Sequence, residues 1–552
     1  MTTADIFVKI LEDQGIEYCF ALPGEENLDF LEALRKSKIR LIVTRHEQAA
    51  AFMAATYGRL TGKPGLCLAT LGPGALNLVT GVAYATLGGM PLIAVTGQKA
   101  VRDNWQGQFQ MVDVVNVMRP ITKWTTTITS PEMVSRAAYQ AVTLAREERP
   151  GAVHVEIPED IAGEAHESHF LKHLPPPNRR PVADEKAIKI AANLIKQAKR
   201  PIIIVSSGGN RKLVTKQLKN LVDLTGLYVI GTQLGKGVLP DDDPHSLGAV
   251  GMHRRDYVNC AIDYSDLIIT VGYHVNEHPP SVWNPNKDKA ILHLDFKPAE
   301  PDEFYLPAFQ VVGDISYTLW ALQAYLQNAS WEIDYYQQLR HRLTEIYQKD
   351  SADPAYPLTP QRIVHDVRQV MGREDIVTLD NGIYKLWFAR QYQTFAPNTL
   401  LLDNALATMG AGLPSALAAK LLYPQKKVLA VCGDGGFMMN SQEIITCVKE
   451  NIPVVVLILN DNAYGFIEWK QKNAGLPDFG LRLQNPDFVK YAEAYGALGL
   501  KVTSANDLIP QLQQAFASDR PTIVECPIDY SQNFKVFDEE LKNLQCELPP
   551  LN

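Results

Sequence analysis

Apolar, strand-like runs alternate with helical text almost from end to end, and that alternation restricts the chain to sheets whose strands are joined by crossover helices. In the first third, IEYCFAL, IRLIVT, PGLCLAT and MPLIAVTG are separated by LDFLEALRKS, QAAAFMAATYGRLTG and LNLVTGVAYATLGG. The rhythm ends near HVEIPEDI, and LKHLPPPNRRP follows at 171–181, where three consecutive prolines cannot sit inside a helix or a central strand. It resumes in PIIIVSSGG, LYVIGT, DLIITVG and AILHLD, and fades around Gly313-Asp314 and the polar helical text of 315–349. It returns in DIVTLD, KKVLAVCGDGG, IPVVVLILND and PTIVECPID. A chain of 552 residues is too long for one core. The expected fold is three doubly wound α/β domains with mostly parallel sheets, over 1–170, 184–345 and 355–535.

Composition narrows the function. A formal charge of −8 argues against a nucleic-acid partner, because phosphate affinity depends on clustered Lys and Arg. No apolar run is long enough to span a membrane, and MTTADIFVKILEDQG lacks the features of a signal peptide, so a cytoplasmic protein is expected. The seven cysteines are scattered without a CxxC and read as reduced packing residues.

The chemistry concentrates in 431–462, VCGDGGFMMNSQEIITCVKENIPVVVLILNDN. A strand running into Gly433-Asp434-Gly435 leaves a carboxylate at its C-terminal end, and the glycines let a diphosphate approach the next helix start. Asp461 lies 27 residues on, after a helix and a second buried strand, which returns it to the same sheet edge. Two carboxylates there, with diphosphate oxygens and water, satisfy an octahedral Mg²⁺. Taken alone, Gly-Asp-Gly is also the text of a tight turn around a solvated Asp; the spacing to Asp461 changes that.

Three further stretches stand at strand ends. Glu47 follows IRLIV and opens an alanine-rich helix, where an acid is also expected simply from the helix dipole. Leu71 to Asn77, with Gly72 and Gly74, turns a strand into a helix. DNALATMGAGL, 403–413, carries Ala407 and Met409 in what is otherwise a buried apolar turn.

In order, and over nearly the whole chain, these four stretches resemble the thiamine-diphosphate (ThDP) enzymes, nearest the FAD-independent acetolactate synthase-like branch. Gly62-Lys63-Pro64-Gly65 and Pro120-Ile121-Thr122-Lys123 extend the likeness. The family's Asn-Asn doublet is replaced by Asn460-Asp461. The resemblance implies pyrimidine-binding, central and diphosphate-binding domains in that order. It assigns Glu47 to N1′ of the cofactor's aminopyrimidine, Gly72 and Gly74 to the cofactor cleft, and the backbone near Ala407 to the 4′-amino group. Met409 would lie under the cofactor's bend, Gly433, Asp434, Gly435 and Asp461 would hold its diphosphate and Mg²⁺, and Ala463 would add a backbone carbonyl to the metal. Because Glu47 and the Asp434/Asp461 pair fall in different domains, it further implies a homodimer or homotetramer with shared active sites.

The resemblance implies a small 2-oxo acid as substrate, whose identity turns on few residues. Pro23-Gly24-Glu25-Glu26-Asn27 carries acids where FAD-independent synthases commonly place a Lys. Lys470, His274 and Arg254 together resemble a basic pocket for a dianion. That favours non-oxidative decarboxylation of 2-oxoglutarate to succinate semialdehyde and CO₂; the alternative is condensation of two pyruvates to 2-acetolactate. Gly107-Gln108-Phe109-Gln110 lacks the His-His doublet of simple decarboxylases, and Gln110 matches the glutamine that synthases hold beside the thiazolium. HVNEHPPSVW, 274–283, resembles the FAD-free branch, so no flavin is expected. PIIIVSSGGNRK lacks the GxGxxG of a dehydrogenase.

Overall fold

Each block of alternating text folds into its own parallel six-stranded sheet. The computed structural model describes residues 1–102, 109–167, 180–250 and 255–547. The first sheet contains β1 (Tyr18–Ala21), β2 (Arg40–Val43), β3 (Gly65–Ala69), β4 (Leu92–Gln98), β5 (Trp124–Thr127) and β6 (Ala152–Pro158), in the order 2-1-3-4-6-5. The central sheet contains β7 (Pro201–Val205), β8 (Val229–Gly231), β9 (Ser246–Ala249), β10 (Leu267–Val271), β11 (Ala290–Asp295) and β12 (Phe309–Val312), in the order 12-11-10-7-8-9. The third contains β13 (Ile376–Leu379), β14 (Leu400–Leu401), β15 (Val428–Gly433), β16 (Val455–Asn460), β17 (Leu498–Lys501) and β18 (Thr522–Pro527), in the order 14-13-15-16-18-17.

The first and third sheets therefore share one topology. In each, strand order reverses between the first and third strands, and the crevice beyond their C-terminal ends is where doubly wound sheets bind ligands. Strands such as GLCLA, LIAVTGQ and VVLILN are apolar on both faces because helices cover both faces.

Small residues make the tightest junctions. The helix Glu47–Thr61 packs on Gly72–Gly88 from its own domain and on Gly412–Leu422 from the third, so one apolar core runs through both domains. Its Ala49, Ala50, Ala51, Ala54 and Ala55 are fully buried, and a Cβ on Gly81 would collide with that of Ala51. Thr56 Oγ1 donates to Ser415 Oγ at 2.9 Å across the junction. Among the described residues no helix is long and apolar enough to cross a membrane.

One expectation is overturned here. Cys260 and Cys546 form a disulfide, with Cα atoms 5.3 Å apart, so the cysteines are not all reduced. The pair lies 286 residues apart in sequence and ties the C-terminal segment to the central domain, a proximity only the folded chain creates. The same segment is pinned where Trp387 Nε1 donates to Asn533 and where Trp469 Nε1 and Asn473 Nδ2 donate to Asp538. Peptide mapping without reductant should recover a Cys260–Cys546 linked pair, and reduction should expose residues 541–547 to protease before any other described segment. Full alkylation of both thiols in unreduced protein would contradict the pairing.

Candidate active site

Segments that follow β2, β3 and β4 meet at the crevice of the first sheet. After β2, Thr44 and His46 turn the chain into the helix that starts at Glu47, with His46 Nδ1 accepting the N–H of Gln48 at 3.0 Å. Glu47 is 5% exposed. Asn77 Nδ2 donates to its Oε2 at 3.0 Å, while Oε1 faces the turn after β3, 3.2 Å from where a Cβ on Gly74 would stand. Gly72 has φ +21°, and a Cβ there would strike the carbonyl of Gln110, so the turn at Gly72 and the backbone of Gln110 form one wall. Gln110 itself is exposed, in the left-handed region with φ 59°.

The third domain reaches the same helix. Arg45 N–H donates to Glu443 Oε1 at 2.8 Å, and burial pushes that carboxyl above its usual range. Asn440 Nδ2, at the end of the helix that begins at Asp434, donates to Gln48 Oε1 at 3.0 Å and to the Gly410 carbonyl at 2.8 Å. Glu47 therefore begins one residue from a contact with the Met409-Gly410 turn and the Asp434 helix.

That turn is shaped by two buried aspartates. Asp403 Oδ2 accepts the N–H groups of Leu406 and Ala407 at 3.0 and 2.9 Å and holds Ala407 at φ 54°. Asp380, at the end of β13, accepts Gly410 N–H through both oxygens at 2.9 and 3.0 Å. Full burial pushes its carboxyl up to about 6 despite those donors.

Asp434 ends β15 and Asp461 ends β16, on paired strands. Asp434 Oδ1 accepts Gly435 N–H at 2.9 Å, and burial raises its carboxyl. Burial and then the charge of Asp434 push Asp461 up to about 7. A buried acid and a half-buried one that repel each other are what a divalent cation relieves, so this donor set fits Mg²⁺, with the Ala463 carbonyl on the same loop. A Cβ on Gly465 would stand 2.5 Å from Asp461 Oδ2, and one on Gly435 would stand 2.7 Å from the Tyr464 ring; both glycines keep the site open. Asn485 Nδ2 donates to Asp434 Oδ2 at 2.6 Å, to Asn462 Oδ1 at 3.1 Å and to Asn460 Oδ1 at 3.2 Å. It arrives on a return segment paired through Ala463 and Arg482, and sequence reasoning missed it.

These strand ends carry a pattern that the comparisons identify. Residues 1–117 match the thiamine pyrophosphate enzyme N-terminal TPP binding domain, 188–322 the central domain, and 380–526 the C-terminal TPP binding domain. The chain belongs to the thiamine pyrophosphate enzyme family. It is similar to an acetolactate synthase of Bacillus subtilis, 32% identical over 98% of this chain and 95% of the relative. A probable acetolactate synthase large subunit of Methanocaldococcus jannaschii is 34% identical over 96% and 92%. A catabolic acetolactate synthase of Raoultella terrigena is 32% identical over 96% and 95%.

Of the three residues expected to form a basic pocket, two lie among the described residues. His274 lines a cavity of about 1680 Å³ beyond the ends of the central strands, with Arg149, Arg211 and Asp295. Its Nε2 is 2.7 Å from Arg149 Nη1, and burial, then that guanidinium, lower its pKa to about 3, so it is neutral and supplies no cation. Lys470 is exposed on the helix Gly465–Asn473, its Nζ 4.7 Å from the Trp469 ring centroid, and it does not line that cavity. Arg254 lies outside the described residues.

Proposed function

We propose that this enzyme, with ThDP and Mg²⁺ bound, decarboxylates one 2-oxo acid and joins the remnant to a second, as an acetolactate synthase does. Two pyruvates and one proton then give 2-acetolactate and CO₂. Relatives named acetolactate synthase along the full three-domain length carry this reading, and the neutrality of His274 counts against a basic pocket for a dianion.

Bound ThDP supplies the carbon nucleophile and holds the electron pair that departing CO₂ leaves. The chain's own residues do the rest. Asn77 occupies Glu47 Oε2 and leaves Oε1 to exchange a proton with N1′ of the aminopyrimidine. Asp403 and Asp380 fix the Ala407-to-Gly410 turn, which would support the bound cofactor. Asp434, Asp461 and the Ala463 carbonyl would hold Mg²⁺, which would neutralise the charge of the diphosphate. Burial of these groups excludes water, which favours loss of the carboxylate charge as CO₂. The family likeness supports a homodimer or homotetramer as the working unit.

A second reading is conversion of 2-oxoglutarate to succinate semialdehyde, for which Lys99, paired with Glu26, would offer a cation. Product analysis with ThDP and Mg²⁺, offering pyruvate and 2-oxoglutarate in separate tubes, separates the two. Acetolactate from pyruvate is expected; succinate semialdehyde from 2-oxoglutarate with no acetolactate would replace the first reading with the second.

A further inference from the structure

Glu26, Thr70 and Lys99 come from the ends of β1, β3 and β4, which neighbour one another at the point where strand order reverses. Two glycines make the cluster possible. A Cβ on Gly24 would collide with the Thr70 side chain, and one on Gly97 would stand 2.8 Å from Glu26 Cβ. Glu26 is 6% exposed; its Oε2 accepts from Thr70 Oγ1 and its Oε1 takes Lys99 Nζ at 2.7 Å. Thr70 and Glu47 flank the same glycine: a Cβ on Gly74 would stand 2.9 Å from Thr70 Cγ2 and 3.2 Å from Glu47 Oε1. The ion pair is therefore one side chain removed from the group assigned to the cofactor's pyrimidine.

The two partners are not equally accessible. The Lys99 side chain is 21% exposed against 6% for Glu26, so the lysine is the more accessible partner. It has three N–H donors, and Glu26 occupies one. The hydrogen bond to Glu26, with the charges of Glu26, Glu159 and Glu25, holds Lys99 protonated. A fixed cation beside the carboxylate that leaves would stabilise the substrate against decarboxylation, so its use is at a carboxylate that stays.

Resting on the functional reading above, we propose that Lys99, positioned by Glu26, anchors the substrate carboxylate that survives the reaction. Under condensation that is the carboxylate of the second 2-oxo acid; under decarboxylation of a dianion it is the distal one. The chemistry is the same, and the experiment distinguishes the sources.

The variants are Lys99→Gln, Lys99→Arg and Glu26→Gln, read by steady-state and single-turnover kinetics and by calorimetric binding of oxamate, a carboxylate that is not turned over. Lys99→Gln should raise KM by about 10- to 100-fold, the range for a hydrogen bond to a charged group, with ThDP affinity unchanged, and should weaken oxamate comparably where the anchored carboxylate is the acceptor's. With pyruvate, a defect in acetolactate formation that spares single-turnover CO₂ release identifies the acceptor's carboxylate. With 2-oxoglutarate, a defect absent for the monoanion 2-oxopentanoate identifies the distal one. Lys99→Arg should restore part of the loss, and Glu26→Gln should raise KM more than it lowers kcat. Unchanged KM and oxamate binding in Lys99→Gln, or equal losses for CO₂ release, acetolactate and 2-oxopentanoate, would overturn the inference alone. A wild-type enzyme inert toward both acids would overturn the functional reading and the inference with it.

Discussion

Glu47→Gln should lower turnover by about 10²- to 10⁴-fold, the range for removing a positioned acid–base group, while changing ThDP affinity less than about tenfold. The substitution keeps volume and shape, and the new amide oxygen can still accept from Asn77 Nδ2, so the helix start and its contact through Gln48 to Asn440 persist. What is lost is the ability to take and return a proton at N1′. The buried setting sharpens the effect: at 5% exposure little water reaches this carboxylate to substitute for it. Steady-state kinetics beside a direct cofactor-binding titration separate the two quantities. Turnover within a few-fold of wild type would remove Glu47 from the mechanism; loss of cofactor binding in proportion to activity would make it a binding residue only.

Asp434 and Asp461 stood out in the sequence because each follows a buried apolar strand, where a charged residue has few places to go but the crevice; Glu47, four residues past β2, was singled out by the family resemblance. By the same logic Asp380, which ends IVTLD, could have been found and was not; no motif named it. Asn485 and the Glu26–Lys99 pair give no local signal. Asn485 reaches Asp434 on a return segment, and Lys99 meets Glu26 across 73 residues through adjacent strand ends. His274 shows the opposite failure. Residue type suggested a cation, but burial and a first-domain arginine make it neutral, and neither is visible along the central domain's own text. The disulfide belongs with these, since the two cysteines become neighbours only when the C-terminal segment folds back on the central domain.

Metal affinity should depend on pH in one direction. Burial and Asp434 push Asp461 up to about 7, so without metal it is protonated at pH 6 and ionised at pH 8. Mg²⁺ needs the ionised form, so binding below that point releases a proton, and affinity should fall about tenfold per unit as pH drops under about 7 and level off above 8. The stability of the metal-free protein runs the other way. A carboxyl whose folded pKa lies above its unfolded value of 3.8 contributes stability at low pH and loses it as pH rises through about 7. Mg²⁺ should therefore raise Tm far more at pH 8 than at pH 6. Asp461→Asn should abolish both trends and weaken Mg²⁺ by on the order of 100-fold, since a ligand is lost rather than an outer partner. Calorimetric Mg²⁺ titrations and thermal melts at the two pH values test this directly. Equal Mg²⁺ affinity at pH 6 and pH 8 in the wild type would mean that Asp434 and Asp461 do not share one cation, and the diphosphate would then have to be held by the Gly433–Gly435 backbone without it.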